Sequence, residues 1–344
     1  MKNLIDKLEA NRSLNFDEWL AVIENKDNLL DYTREKARKI MLDNFGNKIY
    51  IRGLIELTNY CKNDCYYCGI RRSNKNCTRY RLTKEQILSC CDTGYPLGFR
   101  TFVLQGGEDS FYNDDYLCSI VSQIREKYSD CAITLSLGER SYESYKRLFD
   151  AGANRYLLRH ETADSEHYSK LHPSTLSLDE RKQCLYNLKE IGYQVGTGFM
   201  VGSPYQTSKN LAADMEFIQN FKPHMIGIGP FIVHKDTPFA NMKSGEVSTS
   251  LFMVSLCRIM FPKVLLPSTT ALATLDKDGH SEGILSGANV IMPNLSPVDT
   301  RKNYLLYDNK AYSNEEAAEG LRELKKRMEK IGYEIVCDRG DYEE

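Results

Sequence analysis

Residues 58–72 read T-N-Y-C-K-N-D-C-Y-Y-C-G-I-R-R and follow an apolar, strand-like run at 49–57. Three cysteines in this stretch, Cys61, Cys65 and Cys68, have a C-x3-C-x2-C spacing, which disfavours three ordinary thiols in a turn. Thiolates are the usual ligands of iron–sulfur clusters. A structural zinc site needs four protein ligands, and no nearby cysteine or histidine completes one. The stretch therefore predicts a cluster with three protein ligands and one open iron that can chelate a small molecule.

On either side of this stretch, short β-like runs alternate with helical ones. The predicted strands lie at 49–58, 101–105, 132–137, 155–159, 194–200, 225–229, 264–266 and 289–292. The predicted helices lie at 84–93, 115–128, 142–151, 178–191, 211–221, 248–261 and 282–286. This α/β alternation predicts a parallel sheet, and about eight βα units fit a closed (β/α)8 barrel of the TIM type. A doubly wound open sheet is the alternative, but no G-x-G-x-x-G follows the first strand.

The two ends of the chain are predicted to extend this barrel. Residues 16–25 and 29–45 have apolar stripes of helical period, so 1–48 is expected to form an N-terminal helical cap. We expect the barrel over 49–307 and a helical C-terminal extension over 308–344, all in one domain. No low-complexity linker or internal repeat divides the chain.

The bulk composition excludes several function classes. The chain has 344 residues and a formal net charge of −2, which gives no electrostatic case for nucleic acid or an anionic membrane surface. No run approaches the roughly 18 apolar residues of a membrane span, and the charged N-terminus lacks the apolar centre of a signal peptide. Eleven cysteines without an export signal are typical of a reducing compartment, so a cytoplasmic location is expected.

Polar residues follow nearly every predicted strand, at the end where a barrel carries its active site. Gly107 lets the backbone approach a ligand closely, and Glu108 can accept from an amino group, although it could also cap the next helix. Arg159 and Glu161 share a strand parity, so both are expected to face the cavity, the alternative being a surface ion pair. His160 has the opposite parity and is expected to be buried and hydrogen-bonded. No nucleophile–base pair indicates hydrolysis.

Seven strings between residues 49 and 307 resemble, at matching spacing, the radical S-adenosylmethionine (SAM) maturases of iron–iron hydrogenases, the HydE family. They are T-N-Y-C-K-N-D-C-Y-Y-C-G-I-R-R, R-Y-R-L-T, L-Q-G-G-E-D, T-L-S-L-G-E, R-Y-L-L-R-H-E-T-A, G-I-G-P-F-I and G-A-N-V-I-M-P-N. The resemblance implies a full barrel with one 4Fe-4S cluster and SAM at its top. It implies reductive cleavage of SAM to a 5′-deoxyadenosyl radical, which acts on a cysteine-bound Fe(CO)2(CN) precursor in assembly of the hydrogenase H-cluster. Other hydrogenase maturases and an electron donor are the implied partners.

Carried over position by position, the resemblance assigns residues to three sites. The cluster ligands would be Cys61, Cys65 and Cys68. The SAM site would be lined by Tyr67, Gly107, Glu108, Ser136, Glu161, Arg181 and Met200. The substrate would be met by Thr134, Arg159, Thr269, Thr270 and Tyr304, with Arg159 and Tyr304 as the catalytic residues. A guanidinium fork suits a carboxylate, and threonine hydroxyls can donate to small anionic ligands.

The sequence departs from the family in one respect and leaves two alternatives open. Some family members carry a second cluster on a C-terminal cysteine triad, whereas residues 305–344 contain only Cys337, so we expect no second cluster. One alternative is a radical SAM enzyme of the biotin synthase or methylornithine synthase branch that acts on a small amino acid. The other is a non-catalytic iron–sulfur carrier, which would not need polar residues at the strand ends. The oligomeric state, the electron donor and the exact form of the substrate do not follow from the sequence.

Overall fold

The computed structural model describes residues 1–312 and 316–343. Its strands are β1 (Lys48–Ile51), β2 (Gly53–Thr58), β3 (Thr101–Gly106), β4 (Ala132–Ser136), β5 (Arg155–Leu157), β6 (Gln194–Thr197), β7 (Met200–Val201), β8 (Met225–Ile226), β9 (Gly229–Pro230), β10 (Val290–Ile291) and β11 (Glu334–Val336). Its helices are α1 (Lys2–Asn11), α2 (Phe16–Glu24), α3 (Lys26–Phe45), α4 (Lys84–Gly94), α5 (Asp114–Lys127), α6 (Tyr142–Asp150), α7 (Ser165–Leu171), α8 (Leu178–Ile191), α9 (Ser208–Phe221), α10 (Val247–Met260), α11 (Thr270–Leu275), α12 (Gly279–Leu285), α13 (Val298–Arg301) and α14 (Ala317–Lys330). No helix in this part of the chain combines the length and the apolar composition needed to cross a membrane.

The strands close into a ring. Six of them form one parallel sheet in the order β2-β3-β4-β5-β6-β8. Parallel bridges continue the ring from Met225 to Leu265 and from Pro267 to Val290 in β10, and a third bridge returns from Asn294 to Leu54 in β2. Within the described residues the ring thus has eight strand positions, which confirms the predicted (β/α)8 barrel.

Three predicted strands are each interrupted. The run at 49–58 is divided at Arg52, and β1 pairs with β10 and β11 instead of continuing beside β3. The runs at 194–200 and 225–229 are divided where Gly198 meets Gly227. A Cβ at Gly198 would lie 2.0 Å from the Gly227 carbonyl oxygen, so the chains approach too closely for a regular ladder. Beyond that contact β7 and β9 pair as a separate two-stranded sheet.

The predicted N-terminal helices are present and pack on the outside of the barrel. Asn15 begins α2 with a reciprocal capping box, in which its side chain accepts from the Glu18 N–H and the Glu18 carboxylate accepts from the Asn15 N–H. Trp19 is fully buried and donates its indole N–H to Gln219 of α9 at 3.2 Å. Buried apolar residues of α2 and α3 therefore share one core with α9 and α10.

The predicted C-terminal extension is only partly helical. Of the described residues, α14 is a helix, β11 joins β1, and residues 339–342 cross the N-terminal end of the barrel; residues 313–315 and 344 lie outside the described residues. The fully buried Arg155 donates to the Arg339 and Gly340 carbonyls and to Asp341, the last at 2.6 Å. A buried guanidinium needs a charge partner. This contact therefore anchors the segment across that end of the barrel.

Candidate active site

The loop after β2 carries the three cysteines, and its own hydrogen bonds hold it in place. None of the three thiols is in a disulfide. The Tyr66 N–H donates to the Leu171 carbonyl at 2.9 Å, and the Gly69 N–H donates to the Leu306 carbonyl at 2.8 Å. Arg79 donates to four backbone carbonyls, one before the first cysteine and three in the turn that follows the third. The loop is therefore organised by the protein chain itself.

The surroundings of the thiols fit an iron–sulfur cluster. Burial raises the pKa of Cys65 to about 12 and also raises that of Cys68, so thiolates at these positions need a bound cation. Among residues 1–312 and 316–343, no three histidine, cysteine, aspartate or glutamate side chains are arranged as the ligands of one ion. Each thiolate of a cubane binds a different iron, so cluster ligands lie farther apart than the ligands of a single ion. Buried thiols are the ligand type that such a cluster uses.

A cavity of about 140 Å³ lies against this loop. It is lined by Tyr67, Cys68, Arg159, Glu161, Met200, Gly229, Pro230, Phe231, Ile232, Thr269, Ala271, Leu306 and Tyr307. Six of these were predicted as site residues from the sequence, although they come from four separate stretches of chain. The prediction missed Phe231, which belongs to the G-I-G-P-F-I string, and Tyr307, for which the sequence offered no signal.

Arg159 and Glu161 face this cavity together, as their strand parity predicts. Their Nη2 and Oε2 atoms lie 3.1 Å apart as an ion pair. Apart from this ion pair, both atoms are buried without a hydrogen-bond partner in the described part of the chain, and so are the hydroxyl of Thr269 in the cavity wall and that of Thr134 outside it. A buried donor or acceptor that has no partner lowers the free energy of unfolding by about 1–3 kcal/mol. The cavity wall is therefore built to meet a polar ligand.

The backbone of Glu161 is held in the left-handed region, with φ at 66°. This conformation is uncommon for a residue other than glycine and costs about 1–3 kcal/mol. His160 between the two charged residues is buried as predicted, and its ring contacts Thr197 at 2.9 Å and Asp214 at 3.2 Å. The chain thus accepts local strain at the point where Glu161 enters the cavity.

A second group of predicted residues lies beside the first cysteine. A Cβ at Gly107 would be 2.2 Å from the Tyr60 carbonyl oxygen, so only glycine allows this contact with the cysteine loop. Glu108 accepts from the Glu139 N–H at 3.0 Å and forms an ion pair with Lys62 at 3.1 Å. Glu108 does not cap α5, because Asn113 does so. Its carboxylate is instead held at the mouth of the barrel.

Arg181 is buried, although it lies in the first turn of a long helix where a solvated arginine would be ordinary. Its Nε lies 2.9 Å from the Glu139 carboxylate. Burial raises the pKa of Glu139, and the arginine opposes this shift. Glu139 is a site residue that the sequence analysis did not select, even though it ends the T-L-S-L-G-E string. The three charged groups, Glu108, Glu139 and Arg181, form one network.

Three further predicted residues, like Thr134, lie outside the lining of this cavity. Thr270 begins α11 and lines a separate cavity of about 50 Å³, whereas Thr269, its N-cap, lines the first one. Tyr304 is buried in the barrel, where its hydroxyl accepts from Gln105 at 3.4 Å. Ser136 ends β4 and is partly exposed. The structure therefore brings the predicted substrate residues into two neighbouring groups.

Tyr67 is positioned by a histidine to which the sequence assigned no role. Its hydroxyl lies 3.1 Å from His172 Nε2, and His172 Nδ1 lies 3.0 Å from the Tyr168 carbonyl. One tautomer, with the proton on Nδ1, satisfies both contacts and lets the tyrosine donate. Burial lowers the pKa of His172 to about 3, so the ring stays neutral. The imidazole also stacks on Tyr168 at a centroid distance of 3.9 Å, which fixes its plane.

Known proteins resemble this chain in sequence and in fold. The family model described as the radical SAM superfamily matches residues 55–218. The chain is 44% identical over 295 residues to the FeFe hydrogenase maturase subunit HydE of Thermotoga maritima, covering 86% of this chain and 84% of that protein. It is 28% identical over 315 residues to 3-methylornithine synthase of Methanosarcina barkeri, covering 91% and 87%.

Solved structures agree on the architecture. The crystal structure of methylornithine synthase (PylB) superposes with a TM-score of 0.84 at 26% identity and covers 97% of both chains. The maturase HydG superposes with a TM-score of 0.77 at 21% identity and covers 96% of this chain and 74% of its own. The second likeness concerns the fold alone.

Proposed function

Because this chain belongs to the HydE family of radical SAM enzymes, the maturases of iron–iron hydrogenases, we propose that it acts on a cysteine-bound Fe(CO)2(CN) precursor of the H-cluster. One observation carries the proposal. The cavity against the cysteine loop presents Arg159, Glu161 and Thr269, whose buried polar atoms have, apart from the Arg159–Glu161 ion pair, no hydrogen-bond partner in the described residues. A small ligand with a carboxylate and anionic groups would accept from Arg159 and Thr269, and a ligand amino group would donate to Glu161.

The cofactors of this activity would be one 4Fe-4S cluster, held by Cys61, Cys65 and Cys68, and SAM. With one electron, the cluster and SAM together supply the 5′-deoxyadenosyl radical. The SAM site would consist of Tyr67, Gly107, Glu108, Ser136, Glu161, Arg181 and Met200. Glycine lets the backbone come close, the charged side chains suit the amino and carboxylate groups, and the thioether of Met200 packs against an apolar face.

Arg159 and Tyr304 would do the catalytic work on the substrate. The guanidinium of Arg159 can hold a carboxylate with two parallel hydrogen bonds, which fixes its orientation as well as its charge. Burial raises the pKa of Tyr304, so its hydroxyl stays protonated and can donate. Thr134, Thr269 and Thr270 would donate to the small ligands on iron.

The rest of the cavity wall would protect the reaction from water. Phe231, Ile232 and Leu306 place apolar surface around the polar groups. Removing water strengthens the interactions of Arg159 with its ligand and keeps other hydrogen donors away from a radical. A closed barrel is suited to this task.

Two experiments test the proposal. Reconstituted protein reduced with dithionite should convert SAM to 5′-deoxyadenosine, and a non-catalytic carrier would not. Together with the other purified maturases, which we propose as its partners, it should then activate an apo iron–iron hydrogenase. The chain's reducing location, which we propose to be the cytoplasm, would keep the thiols ready for the cluster.

A second candidate is an amino-acid mutase, favoured by the likeness to methylornithine synthase in sequence and fold. Arg159 would serve the carboxylate of an amino acid equally well. Protein that carries its cluster and cleaves SAM but cannot support hydrogenase activation would make the mutase the better description.

The iron content of the reconstituted protein is expected to be about four per chain, the number in one cubane. The reason is that residues 305–344 offer only Cys337 and so lack the triad for a second cluster. Iron and sulfide assays with Mössbauer spectroscopy would measure this. A reproducible content of about eight would contradict the expectation.

His172→Phe is expected to weaken SAM binding about fivefold to tenfold while the cluster content stays the same. The change keeps an aromatic ring but removes the acceptor for the Tyr67 hydroxyl, and one such hydrogen bond contributes about 1 kcal/mol. Calorimetric titration of the reconstituted protein with SAM gives the affinity.

His172→Gln is the matched control because its amide oxygen can still accept from Tyr67, so it should recover most of the affinity. Equal affinities of the wild type and His172→Phe would show that the contact does not position Tyr67. A loss of cluster in both variants would show that the histidine supports the loop as a whole.

A further inference from the structure

The outer side of the cysteine loop is strongly basic. Residues 59–82 contain six lysines and arginines and a single acid, Asp64, although the whole chain has a formal net charge of −2. Asp64 is paired with Arg71 at 2.7 Å and so does not offset the other cations. Arg72 and Lys75 are exposed in the turn that follows the third cysteine. A concentrated positive surface of this kind attracts a negatively charged partner.

Two exposed aromatic rings stand beside these cations. Tyr60 is 37% exposed and Phe111 is 47% exposed. The guanidinium of Arg81 lies 4.0 Å from the centroid of the Tyr60 ring and 4.9 Å from that of Phe111. Asp109 fixes this arginine with two hydrogen bonds, at 2.7 and 2.9 Å. Exposed aromatic rings and arginines are the residues that protein interfaces favour at their centres.

The aromatic and basic parts belong to one surface. Arg79 lies 5.9 Å from the Tyr60 ring and donates to the carbonyls of Arg71 and Asn74, which ties the ring to the basic turn. We call this surface, formed by Tyr60, Arg72, Lys75, Arg81 and Phe111, the cluster-loop face. Acids of neighbouring loops offset part of this charge, because Asp109 pairs with Arg81 and Asp236 accepts from Asn76 at 2.8 Å, but Arg72 and Lys75 form no ion pair within the described residues and give the face a positive excess.

We propose that the cluster-loop face docks a small acidic electron-transfer protein. The inference rests on the proposed function, since reductive cleavage of SAM needs one electron from outside. In each encounter the reduced donor would lose one electron, the cluster would gain it, and the oxidised donor would dissociate. The face is suited to this because Tyr60 directly precedes Cys61, so a protein bound there would lie close to the ligands.

The character of the face fits a brief encounter. Redox complexes bury little area, often below about 1,200 Å² in total, and depend on charge to bring the partners together. A nucleic acid is disfavoured, because its binding draws on many phosphate contacts, whereas this face has three exposed cations, one of them paired with Asp109, on a chain that is negative overall.

The test compares the double variant Arg72→Glu, Lys75→Glu with wild type in stopped-flow reduction by a reduced acidic flavodoxin. At low ionic strength the second-order rate constant should fall at least about tenfold, because steering by charge changes association rates by about 10- to 1,000-fold. The difference should shrink as salt is added. Lys39→Glu, Lys325→Glu is the matched control, with the same charge change at exposed positions on α3 and α14, and should stay within about twofold of wild type.

Binding gives a second readout that does not depend on turnover. Titration with oxidised flavodoxin should show a weaker affinity for the double variant than for wild type. Phe111→Ser should also bind flavodoxin about fivefold to tenfold more weakly than wild type does. Equal rates and affinities in all variants would overturn the proposal, and so would an equal loss in the control pair. Competition by an oligonucleotide at physiological salt would assign the face to another partner and overturn it as well.

Dithionite separates this inference from the proposed function. It is a small reductant that needs no docking surface, so 5′-deoxyadenosine formation driven by dithionite should be the same in the double variant and in wild type. If wild type fails with dithionite, the proposed function fails and the docking inference falls with it. If dithionite works while flavodoxin reduces all variants alike, only the docking inference is wrong.

Discussion

Arg159→Lys is expected to lower hydrogenase activation about 100-fold while SAM cleavage by the dithionite-reduced protein persists. Lysine keeps the positive charge but cannot form the two parallel hydrogen bonds of a guanidinium fork. Hydrogen bonds to charged groups contribute about 1.5–3 kcal/mol, which corresponds to roughly 10- to 150-fold. SAM would bind through other residues, so its cleavage would continue without productive transfer to the substrate.

The measurement pairs two assays on the same preparation. One quantifies 5′-deoxyadenosine, and the other quantifies activation of an apo hydrogenase in a mixture of the purified maturases. Arg147→Lys is the control, since this arginine is half exposed on α6, away from the cavity. Full activation of the hydrogenase by Arg159→Lys would show that Arg159 does not hold the substrate carboxylate with two parallel hydrogen bonds. Loss of SAM cleavage as well would place Arg159 in the SAM site, where it already contacts Glu161.

Cys65→Ala is expected to abolish both the cluster and SAM cleavage. Three thiolates are the fewest that hold a cubane with one open iron, so two would leave a second iron without a protein ligand. The fold should persist, because backbone hydrogen bonds from Tyr66 and Gly69 and the side chain of Arg79 organise the loop without a metal.

Iron analysis, the visible absorption spectrum and 5′-deoxyadenosine formation would report the loss. Circular dichroism would confirm that the variant is folded. Cys118→Ala is the matched control, a partly buried thiol on α5 outside the loop, and should behave as wild type. A Cys65→Ala protein with normal cluster content and activity would contradict the assignment of the ligands.

The sequence predicted the barrel because periodicity reveals each βα unit separately. The sequence could not show where each strand stops. The run at 49–58 is apolar on both sides of Arg52, and its interruption there depends on the pairing of β1 with β11. The short strand β11 and the segment 339–342 offered no pattern either. Their positions follow from contacts with Arg155 and β1, which are distant in the sequence.

The candidate site was predictable to the extent that its residues occur in strings at strand ends. Tyr67 and Arg159 are found in this way. The partner of Tyr67 is not, because His172 lies 105 residues away and only the folded chain brings the two together. Glu139 ends one of these strings, but the sequence alone does not show its role. That role follows from its contacts with Arg181 and Glu108 in the folded chain.

The segment 339–342 lies across the N-terminal end of the barrel, where Arg155 holds it like a floor. In any passage that opens at one end only, the innermost occupant must arrive first and leave last. The hydroxyl of Thr134 lies within the wall formed by β4, whereas Tyr67 lies in the loop at the mouth. Under the proposed function the substrate would lie below and SAM above it, and such a floor would impose a compulsory sequence: substrate before SAM, and the fragments of SAM out before the product. An arginine that does not line the cavity would thereby help to set the kinetic order of the proposed reaction.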